Sequence, residues 1–142
     1  MIREARPFDS ARIATLTEQL GYPATEAGIR ERLETLGAGG NHAFYVVEAD
    51  GIVAGWVGVR TDLSLESGPY AMIVGLVVDE ARRGERLGER LVLAAEAWAR
   101  GRGATRLRVH SNVVRERAHN FYQRLGYTIA KRQAVFLKDL TG

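Results

Sequence analysis

Cysteine is absent from the 142 residues. A disulfide framework, a Cys-ligated zinc and a Cys nucleophile are therefore excluded. Proline occurs only 3 times, and no stretch of Pro, Ser or Gly reads as a linker. Long hydrophobic runs are also missing. The longest, Tyr70–Val78, is too short to span a bilayer. The opening Met-Ile-Arg-Glu-Ala-Arg-Pro has no apolar centre of the signal-peptide kind. These features lead us to expect a cytoplasmic protein with no membrane partner. The 3 histidines are far apart in sequence, so no metal site is expected.

Hydrophobic residues make up 46% and charged residues 26%, ordinary values for a globular chain and too rich for a collagenous or disordered one. The length suits a single domain over residues 1–142. Lys plus Arg is 20 against 17 for Asp plus Glu, a net +3. That balance suits an anionic ligand without demanding nucleic acid.

Apolar spacing sets the element order. A short strand at Ile2–Arg6 ends at Pro7, and Asp9 is the expected N-cap of a helix carrying Ile13, Leu16 and Leu20. Thr25 caps a second helix with Ile29, Leu33 and Leu36 on one face, and Gly37 stops it. Ala43–Ala49 and Ile52–Arg60 flank Asp50-Gly51, a strong hairpin signal. Asp62–Pro69 reads as a polar loop, and Tyr70–Val78 as a fully buried strand. A helix with Leu87, Leu91, Ala95 and Trp98 follows, then a strand at Arg106–His110. Next come a helix at Arg115–Leu125 and one or two closing strands within Tyr127–Lys138. The order β-α-α-β-β-β-α-β-α-β(-β) implies an α/β fold, a central mixed sheet with helices on both faces.

The stretch Leu76–Leu91 carries the strongest chemical signal. A buried strand runs through an Arg- and Gly-rich turn directly into an amphipathic helix. A helix start exposes unpaired N–H groups at the positive end of its dipole, which suits phosphate. Gly84 and Gly88 permit close backbone approach, and Arg82, Arg83, Arg86 and Arg90 add positive charge. Neither G-x-x-x-x-G-K-[ST] nor G-x-G-x-x-G is present. A solvated arginine-rich helix start is the bland alternative.

Arg83-Gly84-Glu85-Arg86-Leu87-Gly88 resembles motif A of the GCN5-related N-acetyltransferases, [QR]-x-x-G-x-[GA], with Arg86 in place of its middle glycine. Arg86 is expected to offer its backbone N–H provided it avoids positive φ. Ala118-His-Asn-Phe-Tyr-Gln-Arg-Leu-Gly-Tyr127 resembles motif B, A-x-x-[FL]-Y-x-x-x-G-[FY]. The opening strand and helix are also similar to the family's start.

The resemblance implies an acetyl-CoA-dependent N-acetyltransferase fold in which the strand before motif A splays from the strand after its helix. Leu76, Val77 and Val78 would then offer backbone groups to the pantetheine arm. Arg83, Gly84, Glu85, Arg86, Leu87, Gly88 and Glu89 would hold the pyrophosphate. Gly75 inside the strand fits a bulge there, or simple packing. Asn112 or Arg115 would reach the cofactor, or else cap a loop. Tyr122 matches the general acid that protonates the departing thiolate, although Ala118, Phe121, Tyr122 and Leu125 also read as a core stripe.

The family's usual Glu base falls at Val74, and Glu66, Asp62, His110 and His119 are the other titratable candidates. Tyr22, Trp56 and Tyr70 are candidate pocket walls. The expected acceptor is the primary amine of a small polar molecule, ahead of a protein N-terminus or lysine. A non-catalytic acetyl-CoA-binding module is the rival from another class. The sequence does not fix the oligomeric state; the resemblance implies a homodimer as one assembly, and a closing strand such as Gln133–Lys138 could pair or exchange.

Overall fold

The computed structural model describes residues 1–66, 68–110 and 116–141, without the side chain of Glu116. The chain divides into two compact units, Met1–His110 and Ser111–Gly142.

The first unit holds β1 (Ile2–Glu4), α1 (Ser10–Gln19), α2 (Glu26–Ala38), β2 (His42–Ala49), β3 (Ile52–Ser64), β4 (Gly68–Val78), α3 (Leu87–Gly101) and β5 (Leu107–Val109). Its five-stranded sheet has the order β1-β2-β3-β4-β5. All neighbours are antiparallel except β4 and β5, which run parallel.

Strand alternation sorts side chains between two faces. On one face Val46, Trp56 and Val77 share a row and meet α1 and α2. There Ile13, Leu16, Val46, Val53 and Val77 form a buried cluster, with Ile29, Leu33 and Trp56 packed against it. On the other face α3 lays down Leu87, Leu91, Val92, Ala95 and Ala99, all buried. Gly55 lets α3 come close, since a β-carbon there would meet Leu91 Cδ1 at 3.1 Å and Val77 O at 2.8 Å.

Local chemistry accounts for several boundaries. Asp50 (φ 54°) and Gly51 (φ 77°) both take positive φ in the expected tight hairpin turn. Thr25 caps α2, its hydroxyl accepting from Gly28 N at 3.1 Å. Asp9 does not cap α1 with its side chain. Its carboxylate instead receives Arg3 Nη1 and Nη2, each at 2.8 Å, and Arg6 N at 2.8 Å. A bidentate guanidinium outcompetes a single helix amide for one carboxylate.

The polar loop expected at Asp62–Pro69 is largely strand. β3 and β4 stay paired through Asp62↔Tyr70 to Ser64↔Gly68. Ladder hydrogen bonds do not depend on side-chain polarity, so a hairpin can outrun the core it covers. Nor is β4 buried throughout, since Val74 is 42% exposed.

In the second unit α4 (Glu116–Arg124) ends at Gly126, φ 94°. Tyr127 N donates to Tyr122 O and Gly126 N to Gln123 O, at 3.0 and 3.1 Å, a glycine-dependent helix stop. The closing strands expected within Tyr127–Lys138 do not form: no ladder runs through residues 127–141, and Val135, Phe136 and Leu137 are exposed. Alternating apolar residues make a strand only where an edge accepts their backbone.

Candidate active site

The first half of β4 is paired on both sides, to β3 and, from Ala71 to Ile73, to β5. From Val74 to Val78 only the β3 side is paired among the described residues, and β5 itself ends at Val109. The change coincides with a bulge. Ile73 pairs with Val59 and Gly75 with Gly58, so Val74 is the extra residue. A bulge bends its strand and adds twist. Val77 sends its side chain into the core, so what β4 offers at that position is its backbone.

Two glycines face each other at the bulge, and each is roofed by an aromatic ring. A β-carbon on Gly75 would collide with the Trp56 indole, whose Cζ3 would stand 2.8 Å away. A β-carbon on Gly58 would meet Phe44 Cε1 at 2.8 Å and Val74 Cγ2 at 3.0 Å. Both expectations for Gly75 therefore hold, a strand irregularity and close packing. Trp56 Nε1 donates to Thr17 Oγ1 at 3.2 Å, which fixes this face as the α1 side.

At the top of β4, Asp79 anchors the turn. Its carboxylate accepts Ala81 N at 3.1 Å, Arg12 Nη2 at 2.6 Å and Gln19 Nε2 at 3.4 Å. The Ala81 amide, with Arg12 and Gln19 behind it, holds that carboxyl below the usual carboxylate range. Arg82 bonds Asp50 at 2.7 Å and so ties the turn to the β2–β3 hairpin. Gly84 takes φ 90°. Arg86 takes φ 61°, ψ 24°, the left-handed region, so the condition set for it in the sequence is not met. The peptide must reverse into α3 at this point, and the chain accepts a strained Arg where the motif has glycine. Leu87 is buried and pins the first turn of α3. Gly88 and Glu89 follow it, and first-turn amides have no intrahelical acceptor. Arg83, Gly84, Glu85 and Arg86 are all exposed around them.

Tyr122 belongs to the second unit. Phe121 and Tyr127 meet its ring edge-on at 5.1 and 5.8 Å. Burial raises its phenol pKa above the ordinary value of 10. Asn112 and Arg115 lie outside the described residues.

The sheet register brings further polar groups together where β4 and β5 are paired. Arg60 pairs with Met72, and Met72 with Arg108, in one row on the α1 face. Asp62 and Tyr70 form the next row. Tyr70 Oη donates to Asp62 Oδ2 at 3.3 Å, Arg60 Nη2 lies 3.6 Å from the same oxygen, and Arg108 sits 4.5 Å from the Tyr70 ring centroid. Strand parity and a parallel crossover create this cluster, so neither arginine stands out in the sequence. Of the other candidates, Val74 sits in the bulge, Glu66 and His110 are exposed, and Tyr22 is 58% exposed. His119 lies on α4 in the second unit.

The fold has clear relatives. The model of the acetyltransferase (GNAT) family matches residues 11–127. An aminoglycoside N(6')-acetyltransferase type 1 from Stenotrophomonas maltophilia is 29% identical over 143 residues, covering 98% of this chain and 93% of that protein. Among solved structures, an aminoglycoside N-acetyltransferase, AAC(6')-Iy in complex with CoA, superposes with a TM-score of 0.87 at 18% identity, over 97% of this chain and 93% of that one. Glucosamine-6-phosphate N-acetyltransferase from Arabidopsis thaliana does so with a TM-score of 0.85 at 22% identity, over 98% of each chain. With the family model spanning β2 to β5, the turn and α4, this chain belongs to the GNAT family and is an acetyl-CoA-dependent N-acetyltransferase.

Proposed function

We propose that the enzyme transfers the acetyl group directly to the primary amine of a small polar molecule. The observation that carries this reading is the end of the β4–β5 ladder at Ile73, with β4 running on through the Val74 bulge into a phosphate-suited helix start. This arrangement suits a CoA thioester. Leu76, Val77 and Val78 have main-chain groups for an amide-bearing arm, and Arg83 through Glu89 supply amides and positive charge for a pyrophosphate. Each charge–dipole contact at an exposed helix start is worth about 0.3–1 kcal/mol, so several act together. Bound there, the cosubstrate supplies an activated acetyl group, and a C–N bond replaces its C–S bond.

Tyr122 is our choice of general acid. A phenol with a raised pKa keeps its proton at neutral pH and so has one to give to the sulfur as the C–S bond breaks. The resemblance of its helix to motif B supports this role. Val74 removes the usual carboxylate base. An alkylammonium of pKa about 10.4 is neutral in only about one molecule in a few thousand at pH 7, equivalent to about 4–5 kcal/mol. Our reading is that solvent takes this proton from the incoming amine.

A thiol-release assay against amino acids, aminoglycosides, polyamines, small amino alcohols and peptides tests the proposal. Release of CoA with small amines and none with peptides is the expected result. Acetyl-CoA that binds without turnover by any amine would leave a binding module instead.

A further inference from the structure

The α1 face of β3, β4 and β5, where β4 and β5 are still paired, has an unusual charge balance for an enzyme that takes amines. Arg60 and Arg108 stand in one row across three adjacent strands, with Met72 between them. Neighbouring strands are about 4.8 Å apart, so their Cα atoms are about 10 Å apart and both side chains reach one small group. Arg60 spends part of its charge on Asp62 at 3.6 Å, a long contact to a carboxylate that is 44% exposed. Its Nε is buried with no hydrogen-bond partner among the described residues. Arg108 is half-buried and pairs with no carboxylate among the described residues, its guanidinium lying over Tyr70. His42, also in the row opposite Arg60, is held neutral, because burial and the Arg60 charge both lower its pKa. Two guanidiniums thus face one carboxylate. A partly buried guanidinium with open donors is poorly matched to a polycation and well matched to a bidentate oxyanion.

We infer that the acceptor amine also carries an oxyanion, a carboxylate or a phosphoryl group, which Arg60 and Arg108 hold on the α1 face of the sheet, across the β4–β5 ladder. This rests on the amine-acetylating reading for the position of the acceptor. Tyr70 orients Arg108 through its ring, and Asp62 competes with the bound oxyanion for Arg60. An aminoglycoside, which has several ammonium groups and no anion, is a poor acceptor on this account.

Calorimetry with the CoA-saturated enzyme tests the inference without turnover, using O-phosphoethanolamine, β-alanine, ethanolamine and kanamycin as probes. At least one of the two anionic amines is expected to bind more than tenfold tighter than ethanolamine, and whichever is tighter identifies the oxyanion as phosphoryl or carboxylate. Arg60→Gln and Arg108→Gln should each weaken that binding by about 10- to 100-fold, the worth of a charge-assisted hydrogen bond. Arg108→Lys should recover part of the loss. Asp62→Asn should tighten binding several-fold, a gain that damage to the fold would not produce. Equal binding of ethanolamine or kanamycin, or a preference that survives both glutamine variants, overturns the inference. Thiol release from acetyl-CoA with the same probes separates the two readings. Arginine-dependent binding with no release defeats the transferase proposal alone, and equal release with all four amines defeats the oxyanion alone.

Discussion

Trp56 and Gly75 occupy one space on neighbouring strands: the indole stands where a β-carbon on Gly75 would be. The pair sits beside the Val74 bulge, so the residue that roofs the glycine also holds the strand just past the end of its ladder with β5. The Thr17 hydroxyl fixes the indole from α1. The course of β4 at the bulge is thereby tied to core packing.

Gly75→Ala should destabilise the fold by about 1–3 kcal/mol, the ordinary cost of overpacking. Urea denaturation would measure it. Adding Trp56→Leu should restore part of the loss, because the clash disappears. A fully stable Gly75→Ala protein would mean that the indole moves away freely.

Arg86 in the left-handed region costs roughly 1–2 kcal/mol, and glycine there would give back about 0.5–1 kcal/mol through its looser unfolded chain. Arg86→Gly should therefore stabilise by about 0.5–1 kcal/mol, raising Tm by about 2–4 °C. Gly84→Val has the opposite expectation. At φ 90° a β-branched residue is strained, and the turn should lose both stability and acetyl-CoA affinity. Thermal melts and calorimetry read the two effects.

Asp9 is 4% exposed and receives both Nη atoms of Arg3. Burial alone would raise its pKa, but the bonds from Arg3 and the Arg6 amide outweigh it and leave the pKa below 3.8. The stabilisation is therefore complete above the unfolded pKa and is lost as pH falls through the lower, folded value. Asp9→Ala should cost about 3–5 kcal/mol at pH 7, the loss on breaking a buried pair, and the difference from wild type should shrink below about pH 4. Chemical denaturation at pH 7 and pH 3 would show whether it does.

Tyr122→Phe should lower kcat by about 100-fold with acetyl-CoA affinity nearly unchanged. With Val74 in place of a carboxylate, kcat/KM should climb steadily with pH toward the amine pKa near 10, without a plateau at neutrality. Its decline should come only above pH 10, since burial raises the pKa of the phenol proton that is then lost. A kinetic pH profile tests both limbs, and a plateau near pH 7 would reveal a base on the protein.

Much of this architecture was legible in residue order. Asp50-Gly51 specifies its turn because both positions take positive φ, and Thr25 caps its helix through a local hydroxyl. The 3.6-residue spacing of Leu87, Leu91 and Ala95 gives α3 a buried face whatever it packs on. Motif residues at the β4–α3 turn identify the family for the same reason, since strand, glycine and helix start are contiguous.

Other features depended on partners distant in sequence. Asp9 has the composition of a helix cap, but Arg3 takes its carboxylate. Asp62–Ser64 looks like loop and becomes ladder because β4 offers it an edge. Residues 127–138 read as closing strands and form none. The sequence alone therefore determined the helices, the hairpin and the phosphate-suited turn, whose causes lie within a few residues. Only the tertiary structure decided which residue is the extra one in the bulge, how far β3 and β4 pair and the alignment of Arg60 with Arg108. Register between strands is set by which backbone groups find each other across the sheet, and nothing local encodes that pairing.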